Sequence, residues 1–408
     1  MIRDIVIVGA GLCGSRAALA LRDKGFDGRV TLVGDEHGLP YDRPPLSKQV
    51  LVEATEPPVI ATAAAYAAGK IALMPGAAAA RIDRSGHRVV LEDGRSLAYD
   101  RLLLATGARP RALPNTSHLR RLTTLRTHAD ATVLRAMIGP GRTLLVIGGG
   151  FIGLEVAASA RQRGASVILV EGLPRLMARA VPPEIASVIE ARHREAGVEI
   201  IFDTTVSSIS EDQDHITLTL SDGRLLTGDV ALAGIGAVAN IRLAEDCGLA
   251  IDNGIAVDDC LATADPDIFA AGDCCSFPIS AYGGRRARLE SWRSAQNQGV
   301  LAAANLLGER LPSRDLPWFW SDQYDLSLQI VGLPDMAVRT VRRETGEGAF
   351  ILFHLGAEGQ VVAASGVGTG NTVAKDIRLA EMLILAQARP SEQELASTSV
   401  RLKSLLAA

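Results

Sequence analysis

The sequence predicts an α/β fold in which one kind of strand–turn–helix–strand unit occurs twice. Residues 4–36 and 143–171 each contain an apolar strand, a glycine-rich turn, a helix of small and apolar residues, and a second strand followed by an acidic residue. The chain has 408 residues, more than one hydrophobic core usually serves, so several domains are expected. This order of elements is typical of dinucleotide-binding domains, and the sequence predicts two of them.

The first unit begins with a β-branched run at residues 5–8, as expected for a strand buried on both faces. The glycines after it have the dinucleotide fingerprint spacing: Gly9, Gly11 and Gly14. They let the backbone turn sharply and approach a pyrophosphate at the N-terminus of the following helix. A ribose-binding acid is expected after the next strand, residues 29–33; Asp35 is the first choice and Glu36 the alternative.

The second unit repeats this pattern. The strand at residues 144–147 is followed by Gly148, Gly150 and Gly153, and the strand at residues 167–170 ends at Glu171. A carboxylate at Glu171 can accept both hydroxyls of an adenosine ribose and repels a 2′-phosphate, which favours NADH over NADPH. Arg175 and Arg179 argue in the other direction, because basic residues beyond the strand can accept that phosphate.

A basic and proline-rich segment at residues 41–48 lies between the two units. Its two prolines fix the backbone, favour the start of a short helix, and present Arg43 and Lys48 on one side of the nucleotide site. Arg43 can pair with a phosphate, and Lys48 can approach the reactive ring of a flavin. The alternative is that both are solvated basic residues beside a turn.

Glu155 is expected in the first turn of the helix that follows Gly153. The helix dipole favours a carboxylate there, but a bound pyrophosphate would repel it. A partner cation resolves this conflict, and Lys48 is the predicted partner.

Small residues also follow several other predicted strands. Thr106 and Gly107 come after the strand at residues 102–105, Gly234 follows residues 230–233, and Gly272 with Asp273 follows residues 268–271. Such breaks allow close packing against a cofactor, and Asp273 is placed to bond a polyol such as the ribityl chain of a flavin. Residues 57–76 are alanine-rich and predict only a connecting helix and loop. Elsewhere the patterns predict a helix at Pro183–Glu195 and hairpins around the Asp-Gly pairs at 93–94 and 222–223.

Composition and cysteine usage exclude several classes of protein. The net charge of −4 gives no reason to expect nucleic-acid or anionic membrane binding. Since the sequence has no apolar run of about 18 residues and begins directly with a strand, a cytoplasmic enzyme is expected. The five cysteines are sparse and lack C-x-x-C spacing, so neither a disulfide scaffold, nor a metal site, nor a dithiol relay is expected. The neighbouring Cys274 and Cys275 are interpreted as buried packing residues.

Taken together, the motifs resemble those of the FAD-containing, NADH-dependent ferredoxin reductases of bacterial oxygenase systems, the family of biphenyl dioxygenase ferredoxin reductase and putidaredoxin reductase. The resemblance spans essentially the whole chain and keeps the order of the motifs. These are GxGxxG at 9–14, YDRPPLSK at 41–48, ATG at 105–107, GGGFIGLE at 148–155, DIFAAGD at 267–273, WRSAQNQG at 292–299 and PWFWSDQ at 317–323. Residues 43–48 and 318–323 are the most specific of them.

The resemblance implies a glutathione-reductase-like fold with two dinucleotide-binding domains and a C-terminal α/β domain. The FAD-binding domain would be split between residues 1–110 and 235–316. The NADH-binding domain, residues 111–234, would be inserted between the two parts, and the C-terminal domain would comprise residues 317–408.

The resemblance also implies roles for individual residues. Arg43 and Lys48 would line the FAD, and Asp273 would bind its ribityl chain. Glu290, Ser291 and Trp292 would lie near the flavin. Trp320 resembles the aromatic residue beside the isoalloxazine ring, with core packing as the alternative, and Phe151 resembles the variable position near the nicotinamide.

The implied activity is transfer of a hydride from NADH to FAD, followed by single-electron transfer to a [2Fe–2S] ferredoxin that feeds an oxygenase. Lys48 and Glu155 would stabilise the reduced ring, and arginines would steer an acidic ferredoxin. The candidates are Arg285, Arg286, Arg288, Arg293, Arg339, Arg342 and Arg343. The alternatives are a reductase of rubredoxin or another small acceptor, and an NADH-sensitive binding flavoprotein related to apoptosis-inducing factor.

Overall fold

The computed structural model describes residues 2–407, which form two compact units. Unit 1 comprises the residues up to Asp42, Pro58–Arg109 and Val238–Pro317. Unit 2 comprises Arg43–Pro57, Pro110–Ala237 and the residues from Trp318 onward. The division into three domains stays a prediction.

The secondary structure of the described residues is mixed. The strands are β1 Asp4–Val8, β2 Arg29–Val33, β3 Ile71–Met74, β4 Ala79–Asp83, β5 Arg88–Leu91, β6 Ser96–Ala98, β7 Arg101–Leu104, β8 Ala108–Pro110, β9 Leu122–Thr123, β10 Thr143–Ile147, β11 Ser166–Val170, β12 Val198–Ile201, β13 Val206–Glu211, β14 Ile216–Leu220, β15 Leu225–Gly228, β16 Val230–Ala233, β17 Ala237–Ala239, β18 Ile255–Ala256, β19 Ile268–Ala270, β20 Cys275–Ile279, β21 Arg285–Ala287, β22 Trp318–Gln323, β23 Leu326–Gly332, β24 Arg339–Gly346, β25 Ala349–Leu355 and β26 Val361–Thr369. The α-helices are α1 Leu12–Asp23, α2 Gln49–Glu53, α3 Ala63–Ala68, α4 His128–Met137, α5 Phe151–Gln162, α6 Pro183–Glu195, α7 Arg242–Asp246, α8 Trp292–Leu306, α9 Ala374–Leu385 and α10 Glu392–Ala396. No helix among these is long and apolar enough to cross a membrane.

Unit 1 is built on a five-stranded parallel sheet in the order β19-β7-β1-β2-β3. Its central strand β1 is a β-branched run that is buried on both faces, as the sequence predicts. Helices α1 and α8 pack closely, because a Cβ atom on Gly299 would lie only 2.5 Å from the carbonyl oxygen of Cys13. This close approach explains the glycine at the end of the WRSAQNQG motif.

Unit 2 contains a second parallel sheet with the corresponding topology, in the order β12-β11-β10-β16-β9. In each sheet the central strand leads into the glycine turn, and its two neighbours lie on opposite sides. A reversal of strand order of this kind opens a crevice at the carboxyl ends of the strands, where dinucleotides bind.

Residues from Trp318 onward contribute a five-stranded antiparallel sheet in the order β22-β23-β26-β25-β24, against which α9 packs. The expectation of an α/β protein with a C-terminal α/β portion is therefore confirmed. The prediction for residues 57–76 was incomplete. That segment contains α3, but β3 is a parallel edge strand that pairs with β2. Its composition of Ile, Ala, Leu and Met carries no strand periodicity, so only the pairing with β2 defines it.

Candidate functional site

The first glycine turn, between β1 and α1, is packed tightly at two positions and open at the third. Gly9 has φ +112°, and a Cβ atom there would lie 2.1 Å from the carbonyl oxygen of Ala105. A Cβ atom on Gly14 would lie 1.9 Å from the carbonyl oxygen of Gly9. At Gly11, φ is −74°, and a Cβ atom would have no neighbour within 4 Å. The fold thus requires the outer two glycines, while the middle one leaves room that a pyrophosphate fits.

The second glycine turn, between β10 and α5, shows the same arrangement. Gly148 has φ +101°, and its Cβ atom would lie 2.6 Å from the carbonyl oxygen of Gly234, directly after β16. A Cβ atom on Gly153 would lie 2.3 Å from the carbonyl oxygen of Gly148. Gly150 has φ −85°, and its nearest neighbour would be 3.8 Å away. Each unit therefore has a turn that fits the pyrophosphate of one dinucleotide at a helix N-terminus.

Two further segments follow parallel strands at the carboxyl edge of the unit 1 sheet. Thr106, after β7, donates from Oγ1 to the carbonyl oxygen of Asn240 at 2.6 Å, and Asn240 donates back to the Thr106 carbonyl oxygen at 2.9 Å. Gly107 has φ +67°, a conformation that favours glycine. This pair of bonds fixes the backbone beside the first glycine turn.

Gly272 and Asp273 follow β19 at the same edge of the sheet. Gly272 has φ +80°, and its backbone N–H donates to Oε1 of Gln298 at 2.8 Å. A Cβ atom on Gly272 would lie 3.1 Å from Cβ of Cys13, in the first turn of α1. The half-buried Asp273 thus lies near the helix that begins at the pyrophosphate turn. Its bond to the ribityl chain stays a prediction.

The two candidates for the first ribose differ in their surroundings. Asp35 is exposed, whereas Glu36 is half-buried and accepts a hydrogen bond from the Tyr41 hydroxyl at 2.5 Å. A carboxylate held in one orientation loses less entropy when it binds a ligand. The geometry therefore favours Glu36, the alternative, over Asp35.

The segment before α8 is fixed by side-chain contacts within unit 1. The indole Nε1 of Trp292 donates to Oδ1 of Asp42 at 2.8 Å. Glu290 pairs with Arg288, and Ser291 is buried at the start of α8. Asp42 thus holds the segment at residues 290–292 in place from within the same unit.

In unit 2, Glu171 is fixed by the backbone around it. Its Oε2 accepts from the Gly149 N–H at 2.7 Å, and its Oε1 accepts from the Leu173 N–H at 2.9 Å. Each carboxylate oxygen keeps a second lone pair, so two ribose hydroxyls can still donate to it. Arg175 donates to the carbonyl oxygens of Ala178 and Val181 and so supports its own loop.

Lys48 and Glu155 form a buried ion pair in unit 2. Nζ of Lys48 lies 2.9 Å from Oε2 of Glu155, and the two side chains are 19% and 5% exposed. The predicted pairing is confirmed. The predicted place of Glu155 in the first helical turn was wrong, because α5 begins at Phe151 and Glu155 lies in its second turn. The influence of the helix dipole falls off within the first turn, so the ion pair and its hydrogen bonds must stabilise this carboxylate.

Two serine hydroxyls complete the surroundings of Glu155. Ser47 donates to Oε2 at 2.5 Å, and Ser321 donates to Oε1 at 2.7 Å. Ser159, one turn after Glu155, donates to the backbone carbonyl oxygen of Ser47 at 2.6 Å. These hydroxyl donors, together with Lys48, replace the water that the carboxylate loses on burial.

Strand β22 divides its side chains between two faces. Phe319, Ser321 and Gln323 share one face, and the Phe319 ring contacts Phe151 of α5 with 4.2 Å between centroids. Trp318 and Trp320 share the other face and stack with 5.2 Å between centroids. Trp320 is half-buried and not enclosed in a core, and its place beside a flavin stays a prediction.

The basic candidates have different environments. Arg43 donates to the carbonyl oxygen of Arg126 within unit 2, so part of its guanidinium is already engaged. Arg343 is 6% exposed and donates to three backbone carbonyl oxygens of the C-terminal segment, those of Leu395, Ser397 and Val400. Its candidacy for steering a partner was wrong, because a buried arginine that supports a chain end presents no surface charge.

All five cysteines are free thiols. Cys13, Cys274 and Cys275 are buried, and desolvation raises the pKa of each thiol above its usual value. The reactive thiolate is therefore disfavoured, and the interpretation of Cys274 and Cys275 as packing residues agrees with their burial.

Sequence reasoning missed the polar residues that surround the ion pair. Ser47 stands beside Lys48 in the YDRPPLSK motif, and Ser321 and Gln323 are two residues apart at the end of the PWFWSDQ motif. In a strand, a spacing of two residues places both side chains on one face, and this spacing was a usable signal. His193, in α6, gave no signal of its own.

Comparisons with known proteins agree with this geometry. Residues 3–299 match the family described as pyridine nucleotide-disulphide oxidoreductase, and residues 318–406 match a reductase C-terminal family. The chain is 42% identical to the ferredoxin–NAD(+) reductase component of the anthranilate 1,2-dioxygenase system of Burkholderia cepacia, with 98% of each chain covered. It is 39% identical to the corresponding component of the p-cumate 2,3-dioxygenase system of Pseudomonas putida, again with 98% of each covered.

Among solved structures, the chain is similar to the reductase in the covalent putidaredoxin reductase–putidaredoxin complex. The TM-score is 0.92 at 37% identity, with 99% of this chain and 98% of that chain covered. The glutathione-reductase-like fold and the resemblance to oxygenase ferredoxin reductases are thereby confirmed. The chain belongs to the pyridine nucleotide-disulphide oxidoreductase family.

Proposed function

We propose that the protein is an NADH-dependent ferredoxin reductase that uses FAD and supplies electrons to an oxygenase system. One observation carries this proposal: the chain has two glycine turns, one in each unit, and each leaves space for a pyrophosphate only at its middle glycine. Two dinucleotides in one chain suit an enzyme that moves electrons from a nicotinamide to a flavin. Relatives at about 40% identity named as ferredoxin–NAD(+) reductases support the choice of acceptor.

We assign FAD to the first turn and NADH to the second. The FAD-binding domain is residues 1–110 and 235–316, the NADH-binding domain is residues 111–234, and the C-terminal domain is residues 317–408. When bound, FAD supplies the chemistry, since it takes up a hydride and releases electrons singly. The chain binds and orients the two cofactors and sets the charge around them. We place this reaction in the cytoplasm, where NADH is available.

In the FAD domain, backbone N–H groups at the start of α1 bind the pyrophosphate. Glu36, oriented by Tyr41, accepts from the adenosine ribose. Asp273 bonds the ribityl chain from the carboxyl edge of the same sheet, and Trp292, held by Asp42, lies toward the flavin. The roles of Glu36 and Asp273 rest on their positions, because they follow β2 and β19 at the carboxyl ends of strands in one parallel sheet.

In the NADH domain, Glu171 selects the cofactor. Its carboxylate is held by two backbone N–H groups and keeps lone pairs for the two ribose hydroxyls. A 2′-phosphate would bring a second negative charge against it, so NADPH binds more weakly. The engagement of Arg175 with its own loop supports this preference, because that guanidinium is not directed at a phosphate.

Lys48, with Glu155, carries the charge that acts on the flavin. A fixed ammonium stabilises negative charge that develops on a nearby ring, and a buried carboxylate holds that ammonium in place. We also assign Arg43 and Trp320 to the flavin, Arg43 as a residue that lines the FAD and Trp320 as the aromatic residue beside its isoalloxazine ring.

Exposed arginines of this protein would attract an acidic ferredoxin, so we assign the docking surface for the ferredoxin to them. Arg339 pairs with Glu392, Arg342 pairs with Glu344, and Arg286 pairs with Asp252 on the surface of the chain. Surface pairs of this kind contribute little to stability and exchange readily with a partner's carboxylates.

The test is NADH-driven reduction of purified [2Fe–2S] ferredoxins, which is observed as a loss of the absorbance of the cluster. A second assay uses cytochrome c as the terminal electron acceptor. We expect reduction that depends on protein, NADH and ferredoxin together, and that is much slower with NADPH. Rubredoxin and small organic oxidants serve as competing acceptors. A preparation that oxidised NADH but passed electrons to no ferredoxin would overturn the proposal.

A further inference from the structure

A chain of hydrogen-bonded side chains leads away from Glu155 into the interior of unit 2. Ser321 donates to Oε1 of Glu155 at 2.7 Å, and Nε2 of Gln323 donates to the Ser321 hydroxyl oxygen at 3.1 Å. Oε1 of Gln323 lies 2.8 Å from Nε2 of His193, and Nδ1 of His193 lies 3.4 Å from the Tyr324 hydroxyl. Ser321, Gln323 and His193 are each no more than 1% exposed. Bulk solvent does not reach such positions, so these side chains satisfy one another's hydrogen-bonding groups.

The contact between Glu155 and Lys48 determines where the protons of the hydrogen-bonded side chains lie. A carboxylate paired with Lys48 only accepts, so the single hydroxyl proton of Ser321 is directed at Glu155. The Ser321 oxygen must then accept, and Gln323 must present its NH₂ group to it. That orientation turns the Gln323 carbonyl oxygen toward His193, so Nε2 of His193 must carry a proton.

His193 is neutral as well as buried. Desolvation lowers its pKa from 6.5 to about 4, so at neutral pH the ring carries one proton. With that proton on Nε2, Nδ1 is an acceptor and the Tyr324 hydroxyl donates to it. Every donor from Tyr324 to Ser321 therefore points toward Glu155.

This series of hydrogen bonds orients the side chains from Tyr324 to Glu155, and it does not conduct protons. A serine and an imidazole can relay a proton, but the amide of Gln323 between them has no readily exchanged proton to pass on. A directed series of dipoles that ends on a carboxylate stabilises its negative charge and fixes its direction.

We propose that Ser321, Gln323 and His193 are positioning residues that hold the Glu155 carboxylate against Lys48. This inference rests on the proposed function for its consequence, since Lys48 is the group assigned to the flavin. It does not rest on that function for its geometry, which belongs to the side chains alone.

The direct test is the protonation of the histidine rings in the full-length, FAD-loaded protein, labelled with ¹⁵N-histidine and observed by NMR. In the wild type we expect His193 as a single tautomer with the proton on Nε2, its signals being identified by their loss in His193→Gln. In Ser321→Ala the link to Glu155 is cut, and in Glu155→Gln the amide can donate in the reverse direction. Both variants should shift His193 toward a mixture of tautomers.

The antiparallel sheet that contains Ser321 also offers a matched control. His354 is also buried, and its Nε2 lies 3.0 Å from the hydroxyl of Ser365, but within residues 2–407 the hydrogen-bond partners of Glu155 do not include either of these two residues. Ser365→Ala removes an equally buried serine beside an equally buried histidine. It should alter the His354 signals and leave those of His193 unchanged, whereas Ser321→Ala should do the opposite.

A second measurement separates positioning from a purely structural role. Losing one hydrogen bond to a charged group corresponds to about tenfold in an equilibrium or rate. We expect Ser321→Ala to slow NADH-driven flavin reduction by about tenfold and to shift the flavin potential, with the KM for NADH unchanged. Ser365→Ala should match the wild type in all three quantities.

The outcomes distinguish this inference from the proposed function. A wild-type His193 protonated on Nδ1, or His193 signals indifferent to both Ser321→Ala and Glu155→Gln, would overturn the directed chain even in a fully active reductase. If the His193 signals respond to Ser321→Ala and Glu155→Gln but the protein reduces no ferredoxin, the directed series of hydrogen bonds is supported and the proposed function is refuted.

Discussion

Nζ of Lys48 lies 2.9 Å from Oε2 of Glu155, and the carboxylate side chain is only 5% exposed. Lys48→Met keeps most of the side-chain volume but leaves this buried charge with hydroxyl donors alone. We expect a loss of about 3 kcal/mol in the free energy of unfolding, because removing one member of a buried pair exposes the desolvation cost of the other. Denaturant titration measures it.

Two controls accompany that measurement. Lys48→Met combined with Glu155→Gln removes both charges and should recover part of the loss. Lys24→Met breaks the more exposed pair with Glu309, at 2.8 Å, and should cost less than about 1 kcal/mol. Equal effects of Lys24→Met and Lys48→Met would contradict the buried character of the Lys48 pair.

Glu171→Ala should raise the KM for NADH about tenfold and reduce discrimination against NADPH, with kcat nearly unchanged. The reason is the loss of an oriented acceptor for the ribose together with its repulsion of a 2′-phosphate. Steady-state kinetics with both cofactors measures this. Glu199→Ala, an exposed acid in β12, is the control and should keep the wild-type preference. An unaltered preference in Glu171→Ala would rule out the ribose role.

Alanine at the middle glycine of each turn should leave the fold intact and weaken cofactor binding. Gly11→Ala and Gly150→Ala introduce a methyl group into open space at an allowed φ, so the protein should fold. The methyl group then occupies the space assigned to a pyrophosphate. Gly11→Ala should lose bound FAD, and Gly150→Ala should retain FAD but bind NADH more weakly. Flavin absorbance after gel filtration and NADH titration report the two effects.

Gly14→Ala is the contrasting variant. Its Cβ atom would lie 1.9 Å from a backbone oxygen, so the turn itself cannot form without rearrangement. We expect insoluble protein or a large fall in Tm. If Gly14→Ala were as stable as Gly11→Ala, the packing argument for the outer glycine would be wrong.

His193 and His354 predict a specific loss of stability in acid. Desolvation lowers the pKa of each from 6.5 to about 4, so the unfolded chain binds more protons between these values. Their contribution is complete above about pH 6.5 and falls as the pH drops toward 4, by up to about 3 kcal/mol for each histidine. Unfolding free energies at pH 7 and pH 5 measure the slope. The double variant His193→Gln/His354→Gln should have a shallower slope, and an unchanged one would refute this assignment.

Local patterns in the sequence were sufficient for much of the fold. The boundaries predicted for α6 and β16 agree with the structure, because α6 has strong periodicity and β16 is a uniform apolar run. The strand β3 was not predictable in this way, since an Ala-rich segment has no strand periodicity and its extended form depends on pairing with β2.

The site divides along the same line. Glu171 follows from spacing along the chain, and the partnership of Lys48 with Glu155 follows from charge. The hydrogen bond between His193 and Gln323 joins residues 130 positions apart along the sequence, and only the packing of the strand β22 brings them together. Sequence spacing carries no information about such a contact.

The split construction of unit 1 also sets the order in which the two parallel sheets can be completed during synthesis. Every strand of the parallel sheet in unit 2 has left the ribosome once Ala233 has emerged, whereas the parallel sheet of unit 1 is incomplete until β19, at Ile268–Ala270, has emerged. Until then β7 presents an unpaired edge, and such edges associate readily with other chains. The parallel sheet of unit 2 can therefore be completed before that of unit 1. While residues 111–234 are being synthesised, the edge of β7 is exposed unless another part of the growing chain covers it.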